Sequence, residues 1–506
     1  MSADHVRRAI AVVLDGPPTP AWQARALSNL QSSDSLSVVE VRTLGAQQPG
    51  PVHRLHASID RRLLYPGADA LAPVALEQLP EQRSTGAAPA TLTVWLSQRP
   101  LPPADDGREI LYLRHDRRAE PADHAFRRAV LGGEGTVETE ALLRRSAGSV
   151  VVERSVSGVR AFSVTLGRDQ ALWKFAELVR RAAERAPGSG SPASPPASPQ
   201  RVSPLAAAVA RSLVVWPRVL ANRALYRRPW SVRVRVRAAE PTEGWSQRGV
   251  AVRWADGHMY ADPFLFEHEG RHHLFCEDVG GDGRGVISHS ELRADGVPAG
   301  QPRCVLAESY HLSYPFVFAH DGETFMIPET SAVKRVELYR ATDFPRSWER
   351  EAILLDGIDA ADATLLQHDG RLWLFVAVAP AHASSLDELH LFSASELRGP
   401  WLAHPGNPVV SNARRARPAG AIQTWGSRLI RPGQDGSRRY GGAIAFCEID
   451  VLSESDYAEH EIARLEPAEV RGARATHTYN SDLAFEAIDL RRRELRLARM
   501  LRRRAA

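Results

Sequence analysis

Two hydrophobic periodicities divide the chain. Up to about residue 186, apolar runs of strand length alternate with helical patterns. Strands are expected at Ala9–Leu14, Leu36–Arg42, Thr91–Leu96 and Ile110–Arg114, with a helix over Ala21–Leu30. A strand pair, Thr136–Leu143 and Ser149–Val156, then precedes a helix over Arg168–Arg185. Strands alternating with helices predict an α/β domain with a largely parallel sheet. From Trp230 onward the pattern changes to short, aromatic-rich strands separated by glycine turns, which predicts an all-β domain.

The second region repeats itself. YADPFLFEHEGRHHLFCE from Tyr260, LSYPFVFAHDGETFMIPE from Leu312 and AADATLLQHDGRLWLFVA from Ala360 superimpose without gaps. Each reads as a strand, a His-acid-Gly hairpin and a second strand; a weaker copy turns at Gly426. The turn glycines Gly270, Gly322, Gly370 and Gly426 fall 52, 48 and 56 residues apart. Third strands follow in GVISHSEL, VELYRATDF and LHLFSASEL. Four short strands repeated at this spacing predict a propeller, in which each blade buries its faces only against its neighbours. His477–Leu490 supplies a fifth unit, and SVRVRVR from Ser231 is assigned the strand that closes the ring. The fold class is thus multidomain: an N-terminal α/β domain and a C-terminal five-bladed β-propeller.

The repeat also places chemistry. Eight residues before each turn glycine stand Asp262, Tyr314, Asp362 and Pro418; seven after stand Glu277, Glu329, Ala377 and Gly433. Antiparallel hairpins bring these ends to one rim, so Asp262, Asp362, Glu277 and Glu329 are expected around a central depression. Clustered carboxylates raise one another's pKa and suit acid/base work; the same acids could instead cap strand ends. Asp262, Asp362 and Glu329 are the catalytic candidates. Glu277, Tyr314, His311, His404, Arg417, Arg431 and His477 are the substrate-binding candidates, the arginines as grips for phosphate or carboxylate. His268, His320 and His368 are turn residues on the far rim.

Between the regions, PGSGSPASPPASPQRVSP is too polar to pack and reads as a linker over 187–204. The domains are accordingly 1–186, a basic amphipathic connecting helix at 205–229, the propeller at 230–490, and a basic tail at 491–506. No run of 18 apolar residues occurs, so 205–228 does not span a bilayer, but its arginines suit peripheral contact with an anionic membrane.

Charge and cysteine content narrow the reading. The formal charge is +4, with arginine gathered in three separate places and no groove-reading module, so nucleic acid is excluded as a partner. Three cysteines without CxxC spacing indicate neither a disulfide framework nor a thiolate zinc site. No H-x-H or H-E-x-x-H spacing occurs, and no metal is expected; the cofactor is left open. The N-terminal apolar run is five residues, short for a secretory signal. The setting expected is cytoplasmic, peripheral to the inner membrane face.

The motifs A-D-P-F, S-Y-P-F, G-P-W-L-A-H-P-G-N-P, R-P-A-G and R-P-G-Q-D, with Asp362 between them, resemble the N-terminal propeller domain of glucosamine inositolphosphorylceramide transferases over about Trp245–Leu490. In that family the transfer chemistry is attributed to a further domain. The resemblance implies a sugar or phospho-sugar ligand, in glycan or glycolipid assembly, with a separate glycosyltransferase as partner. More distantly the region resembles the five-bladed arabinanase and β-xylosidase clan. That likeness assigns Asp262 to the general-base position and Asp362 to the modulating position. The general acid is missing near Pro418, and Glu329 would have to replace it. The segment up to Arg185 resembles a degenerate formyltransferase domain: N-x-H falls on Leu113-Arg114-His115, and D-T-G-P-V on Ser146-Ala147-Gly148-Ser149-Val150. Two of its three polar catalytic positions are lost, so no formyl transfer is implied. The functional reading is a carbohydrate-active protein, glycosidase-like or associated with glycosyl transfer. The alternative is a glycan-binding partner without chemistry.

Overall fold

The computed structural model describes residues 7–45, 49–64, 67–75, 89–102, 108–186, 190–198, 204–239, 241–246, 249–252 and 257–496. The chain falls into two compact units. One runs to Val219 and takes in Pro380–Ser384; the other starts at Leu220.

The first unit is built on a seven-stranded sheet. Its order is Leu36–Leu44, Arg8–Asp15, Leu92–Trp95, Glu109–His115, Thr136–Arg145, Gly148–Gly158 and Ser191–Pro192. Ile10, Val12 and Leu14 pack under Trp22, Leu27 and Leu30 of the helix Ala21–Gln31, and Phe175 and Leu178 of the helix Val164–Arg185 join the same core. The first four strands are parallel and the remainder antiparallel. The sheet is therefore mixed, a correction to the largely parallel expectation. The turn at Ser146-Ala147 is too short for a crossover and makes Thr136–Arg145 and Gly148–Gly158 antiparallel, while Glu109–His115 and Thr136–Arg145 pair antiparallel although the helix Ala122–Gly132 lies between them. Part of the expected linker is ordered against this sheet, where Ser191 and Pro192 pair with Val151 and Val150. Residues 187–189 and 199–203 of that linker lie outside the described residues.

The second unit contains the five blades. Blade one comprises Met259–His268, Arg271–Val279, Gly285–Leu292 and Arg303–Leu306; blade two, Ser313–His320, Glu323–Thr330, Arg335–Asp343 and Ser347–Asp356. Blade three has Ala360–His368, Arg371–Val378, Glu388–Ala394 and Leu402–Ala403; blade four, Gln423–Trp425, Arg428–Asp435, Ala443–Leu452 and Tyr457–Leu465. The inner hairpins of the first three blades turn on Glu269-Gly270, Asp321-Gly322 and Asp369-Gly370. Both residues of each pair have positive φ, between 49° and 79°. This is the type I′ geometry that matches strand twist, and it explains the recurrent glycine.

Blade five joins distant parts of the chain. Its inner strands are Tyr479–Ser481 and Phe485–Arg491, its outer ones Trp230–Val236 and Val250–Ala251. The strand begun by Ser231 thus closes the ring as expected: Val232 and Val234 pack with Leu265, Leu274 and Leu292 of blade one. The alternate arginines of this strand are also buried. Arg235 Nε lies 2.6 Å from Glu486 Oε1, and its guanidinium stacks 3.9 Å above the Trp245 ring. Glu486 further accepts from Tyr479 Oη at 2.7 Å and from Ala238 N at 3.0 Å. Beyond the propeller strands, the connecting helix ends at Leu225, and Tyr226–Arg227 pairs with Glu494–Leu495. The rest of the expected basic tail, from 497, lies outside the described residues.

Removing one partner of the Arg235–Glu486 pair leaves a buried charge without its counter-ion, which typically costs about 3–5 kcal/mol. Arg235→Ala or Glu486→Ala should lower the urea-unfolding free energy of the propeller by about that amount. The double replacement Arg235→Met with Glu486→Leu should cost less than either. Single-variant losses below about 1 kcal/mol would place the ring closure elsewhere.

Candidate functional site

The inner strand of each of the first three blades carries the same irregularity. Pairing slips between Ala261 and Phe264, Ser313 and Phe316, and Ala361 and Thr364. Inside these slips Asp262, Tyr314 and Asp362 have φ of 48°, 46° and 54°, the left-handed region. Bulges of this kind re-aim a side chain. The slip brings these residues into one hydrogen-bonded set: Tyr314 N donates to Asp262 Oδ2 at 3.3 Å, and Tyr314 Oη lies 2.8 Å from Thr364 Oγ1, which in turn donates to Asp362 O at 3.2 Å. In blade four the match is shifted by one residue. Pro418, not Arg417, bridges Gly433, whereas Ala261 and Ser313, nine residues before their turn glycines, face Glu277 and Glu329. Ala419 is therefore the counterpart of Asp262, and no acid stands there.

Asp262 is the centre of the first cluster. Thr478 Oγ1 donates to its Oδ1 at 2.6 Å, His477 Nε2 lies 3.3 Å from the same oxygen, and its own N–H reaches Asp489 Oδ2 at 3.4 Å. His477 Nδ1 is 2.5 Å from Asp489 Oδ2. Burial pushes the Asp262 carboxyl up to about 8; the His477 charge opposes this, while Glu277, Asp362 and Asp489 add to it. For His477 burial disfavours the imidazolium, but Asp489 and Asp262 outweigh it and raise the ring to about 9. The two groups titrate as a pair: burial among other acids favours the protonated form of Asp262, and the neighbouring carboxylates favour the charged form of His477. Trp230 and Tyr440 cover the imidazole, with ring centroids 4.3 and 4.7 Å away.

Arg417 organises the second cluster. Its Nε and Nη2 grip Asp362 at 2.6 and 3.0 Å, and Nη2 also reaches Glu329 at 3.3 Å. Gln434 Nε2 donates to Asp362 Oδ2 at 2.6 Å. Burial raises Asp362 to about 6 against the pull of Arg417, with Glu329 adding to the rise. Glu329 shifts the other way. Burial opposes its charge, but Arg417 together with the Ser331 and Ser313 hydroxyls holds it below the usual carboxylate range. A third pair lies nearer solvent: His311 Nε2 is 2.9 Å from Glu277 Oε1, and this bond raises the His311 pKa.

Of the residues named from sequence, Asp262, Asp362, Glu277, Glu329, His311, Arg417 and His477 come together in these clusters. Three do not serve the expected role. Tyr314 is fully buried, and its hydroxyl accepts from Gly420 N at 2.6 Å, so it wedges the inner strands and faces no ligand. His404 caps a turn in blade three, its Nδ1 accepting from Gly406 N. Arg431 is buried within blade four against both oxygens of Glu459 at 2.7 Å. Arg417 and the two serine hydroxyls favour the ionised form of Glu329, which disfavours it as the replacement acid. Asp489, Thr478, Gln434 and Tyr440 were missed. Asp489 alone carried a signal, an acid inside the otherwise apolar run Ala487-Ile488-Asp489-Leu490.

In the first unit His115 is buried, its Nδ1 2.9 Å from Thr139 Oγ1 and its ring stacked on Phe175; burial takes it down to about 4. The Ser146 turn is not beside it. His115 ends its strand opposite Thr139, whereas Ser146 follows Arg144, which faces Ile110 at the strand's start. At about 3.4 Å per residue the two ends are separated by most of the strand's length.

Among the described residues, Asp262, His477 and Asp489 have a donor set suited to a cation, their ligand atoms lying within 4.8 Å of one another. Two of those ligand atoms, His477 Nδ1 and Asp489 Oδ2, already form an ion pair with one another. The shifts on Asp262 and His477 carry a stability signature. Both folded-state pKa values lie above the unfolded ones, so both groups bind protons more tightly when folded. Their contribution is full at low pH and is lost as pH rises, for His477 between about 6.5 and 9. The propeller's melting temperature should fall across that window, and the fall should shrink in His477→Gln. A profile unchanged by that substitution would contradict the assigned shifts.

Comparison with known proteins bears on this centre. Residues 250–486 match the family model described as Glucosamine inositolphosphorylceramide transferase 1, N-terminal. The chain is 33% identical over 225 residues to the protein named Glucosamine inositolphosphorylceramide transferase 1 of Oryza sativa subsp. japonica, covering 44% of this chain and 29% of that protein. It is 33% identical over 210 residues to the protein of that name from Arabidopsis thaliana, covering 40% and 27%. The match thus spans under a third of these relatives. Among solved structures, a family 117 glycoside hydrolase from Zobellia galactanivorans is 10% identical with a TM-score of 0.33, covering 51% of this chain and 90% of that one. An α-L-arabinanase from Cellvibrio cellulosa is 15% identical with a TM-score of 0.30, covering 40% and 77%. Residues 250–486, which carry the charged centre apart from Trp230 and Asp489, are accordingly similar to the domain described as Glucosamine inositolphosphorylceramide transferase 1, N-terminal.

Proposed function

We propose that this protein is carbohydrate-active in glycan or glycolipid assembly and that the propeller takes a sugar or phospho-sugar at its charged centre. The observation that carries the reading is the convergence of Asp262, Glu277, Glu329, Asp362, His311 and Arg417 from several blades. It is supported by the match of this same segment to a domain of glycolipid-related transferases. Carboxylates accept from sugar hydroxyls, and Arg417 and His311 suit a phosphate.

In the enzymatic form of this reading Asp262 acts as a proton donor and not as the general base that the resemblance implies, since burial among other acids favours its protonated form. A second reading has the propeller recognise a glycan for a separate glycosyltransferase. It is favoured by the state of Asp362, whose two oxygens are already engaged by Arg417 and Gln434. Neither reading draws on the His115 cluster.

Asp262→Asn separates the two. The amide keeps an acceptor for Thr478 and cannot release a proton. If Asp262 is the acid, turnover on glycan or glycolipid acceptors should fall by about 100-fold or more while glycan binding persists. Binding unchanged with no turnover in either protein would support recognition alone. For both readings, Glu277→Gln should weaken glycan-array and calorimetric binding by about tenfold or more, because it removes a charged hydrogen-bond acceptor near solvent. Unaltered binding in that variant would move the site off this face.

A further inference from the structure

The first unit carries an apolar surface that its fold does not use. The helix Pro51–Leu64 buries His56, Ala57, Asp60 and Leu64. On its outer side Val52, Leu55, Ile59 and Leu63 recur at helical spacing and are 36–62% exposed. The helix beginning at Leu205 shows the same inversion. It buries only Ala208, Ser212 and Trp216, while Leu213 and Val214 stand 69% and 51% exposed. The two helices meet through His56, whose Nε2 lies 2.9 Å from Ser212 Oγ and whose ring stacks on Trp216 at 5.2 Å. Apolar side chains thus face outward on two adjoining helices.

Charge limits what can cover them. Leu205–Leu225 contains no acidic residue, and its basic residues are arginines, among them Arg211 and Arg218. In Pro51–Leu64 the one acid, Asp60, is fully buried and takes a 2.6 Å bond from Ser163 Oγ, while Arg54 and Arg62 are exposed. The outward faces therefore combine aliphatic side chains with positive charge alone. Aliphatic groups at this spacing, flanked by guanidinium groups, complement the boundary between acyl chains and anionic headgroups. No helix among the described residues is long and apolar enough to cross a membrane, so the contact would lie along the surface.

We infer that the outward faces of Pro51–Leu64 and of the helix from Leu205, joined at His56–Trp216, dock the first unit on an anionic membrane surface. The inference is independent of the propeller reading, since it uses none of the propeller's residues.

The full chain should float with vesicles of phosphatidylcholine containing phosphatidylglycerol and should not float with phosphatidylcholine alone. Raised salt should weaken the association without abolishing it, the residue being the apolar part. Leu55→Glu and Leu213→Glu should each weaken vesicle binding by about tenfold or more, the equivalent of one aliphatic side chain withdrawn from the apolar phase. Both positions are exposed, so circular dichroism and the melting temperature should stay unchanged. An independent readout is Leu213→Cys carrying an environment-sensitive fluorophore, whose emission should shift to the blue on anionic vesicles only. Failure to float with either vesicle type would overturn the inference. So would equal flotation with both, or a dimer by light scattering that Leu55→Glu dissolves, which would make the surface a contact between copies of this chain.

Discussion

The centre of the propeller depends on a backbone conformation that few residue types hold cheaply. Asp262, Tyr314 and Asp362 all adopt positive φ at the start of their inner strands. Aspartate visits this region with modest cost, but tyrosine does so at about 1–2 kcal/mol. The compensation is visible: Tyr314 Oη bonds both Thr364 and Gly420 N, and its backbone N–H reaches Asp262. Gly420 is itself constrained, because a Cβ there would collide with Tyr479 O. Strain at three inner strands is thus held by bonds between blades, and the same geometry places the acids within electrostatic reach of one another.

Burial then decides which protons stay. Asp262 and Glu329 are both buried carboxyls, yet their pKa values move in opposite directions. Arg417 and two serine hydroxyls stand on Glu329, whereas Asp262 sits among other acids with a single histidine as counter-charge. The surroundings thus favour the protonated form of one carboxyl and the ionised form of another within one centre. The near-solvent pair Glu277–His311 adds groups able to meet a ligand directly.

The repeat was legible because it is written in local chemistry. The glycine of each His-acid-Gly turn marks a type I′ hairpin, and fixed offsets from it locate Asp262, Asp362, Glu277 and Glu329. Offsets fail where the turn changes: in blade four Gly426 is the first residue of its two-residue turn and not the second, so counting from it puts Pro418 where Ala419 belongs. His404 and Arg431 were misassigned for a different reason. A polar residue standing alone in sequence can be consumed by its own blade, as Arg431 is by Glu459. Asp489 and Gln434 escaped because their partners are distant in sequence and no spacing rule joins them. In the first unit the apolar pattern identified six strands and two helices but not the helices Pro51–Leu64 and Ala122–Gly132, and it did not fix strand direction, which changes at Glu109–His115 with Thr136–Arg145 across a helix.

The central claim is that residues from several blades form one sugar-accepting centre. Its most direct measurement is a crystal structure of the chain soaked with a mixture of monosaccharides, sugar phosphates and nucleotide-sugars. The account predicts ligand density in contact with Glu277, His311 and Arg417. Density confined to other faces of the propeller, with Glu277 still paired to His311 and Arg417 still on Glu329 and Asp362, would contradict it.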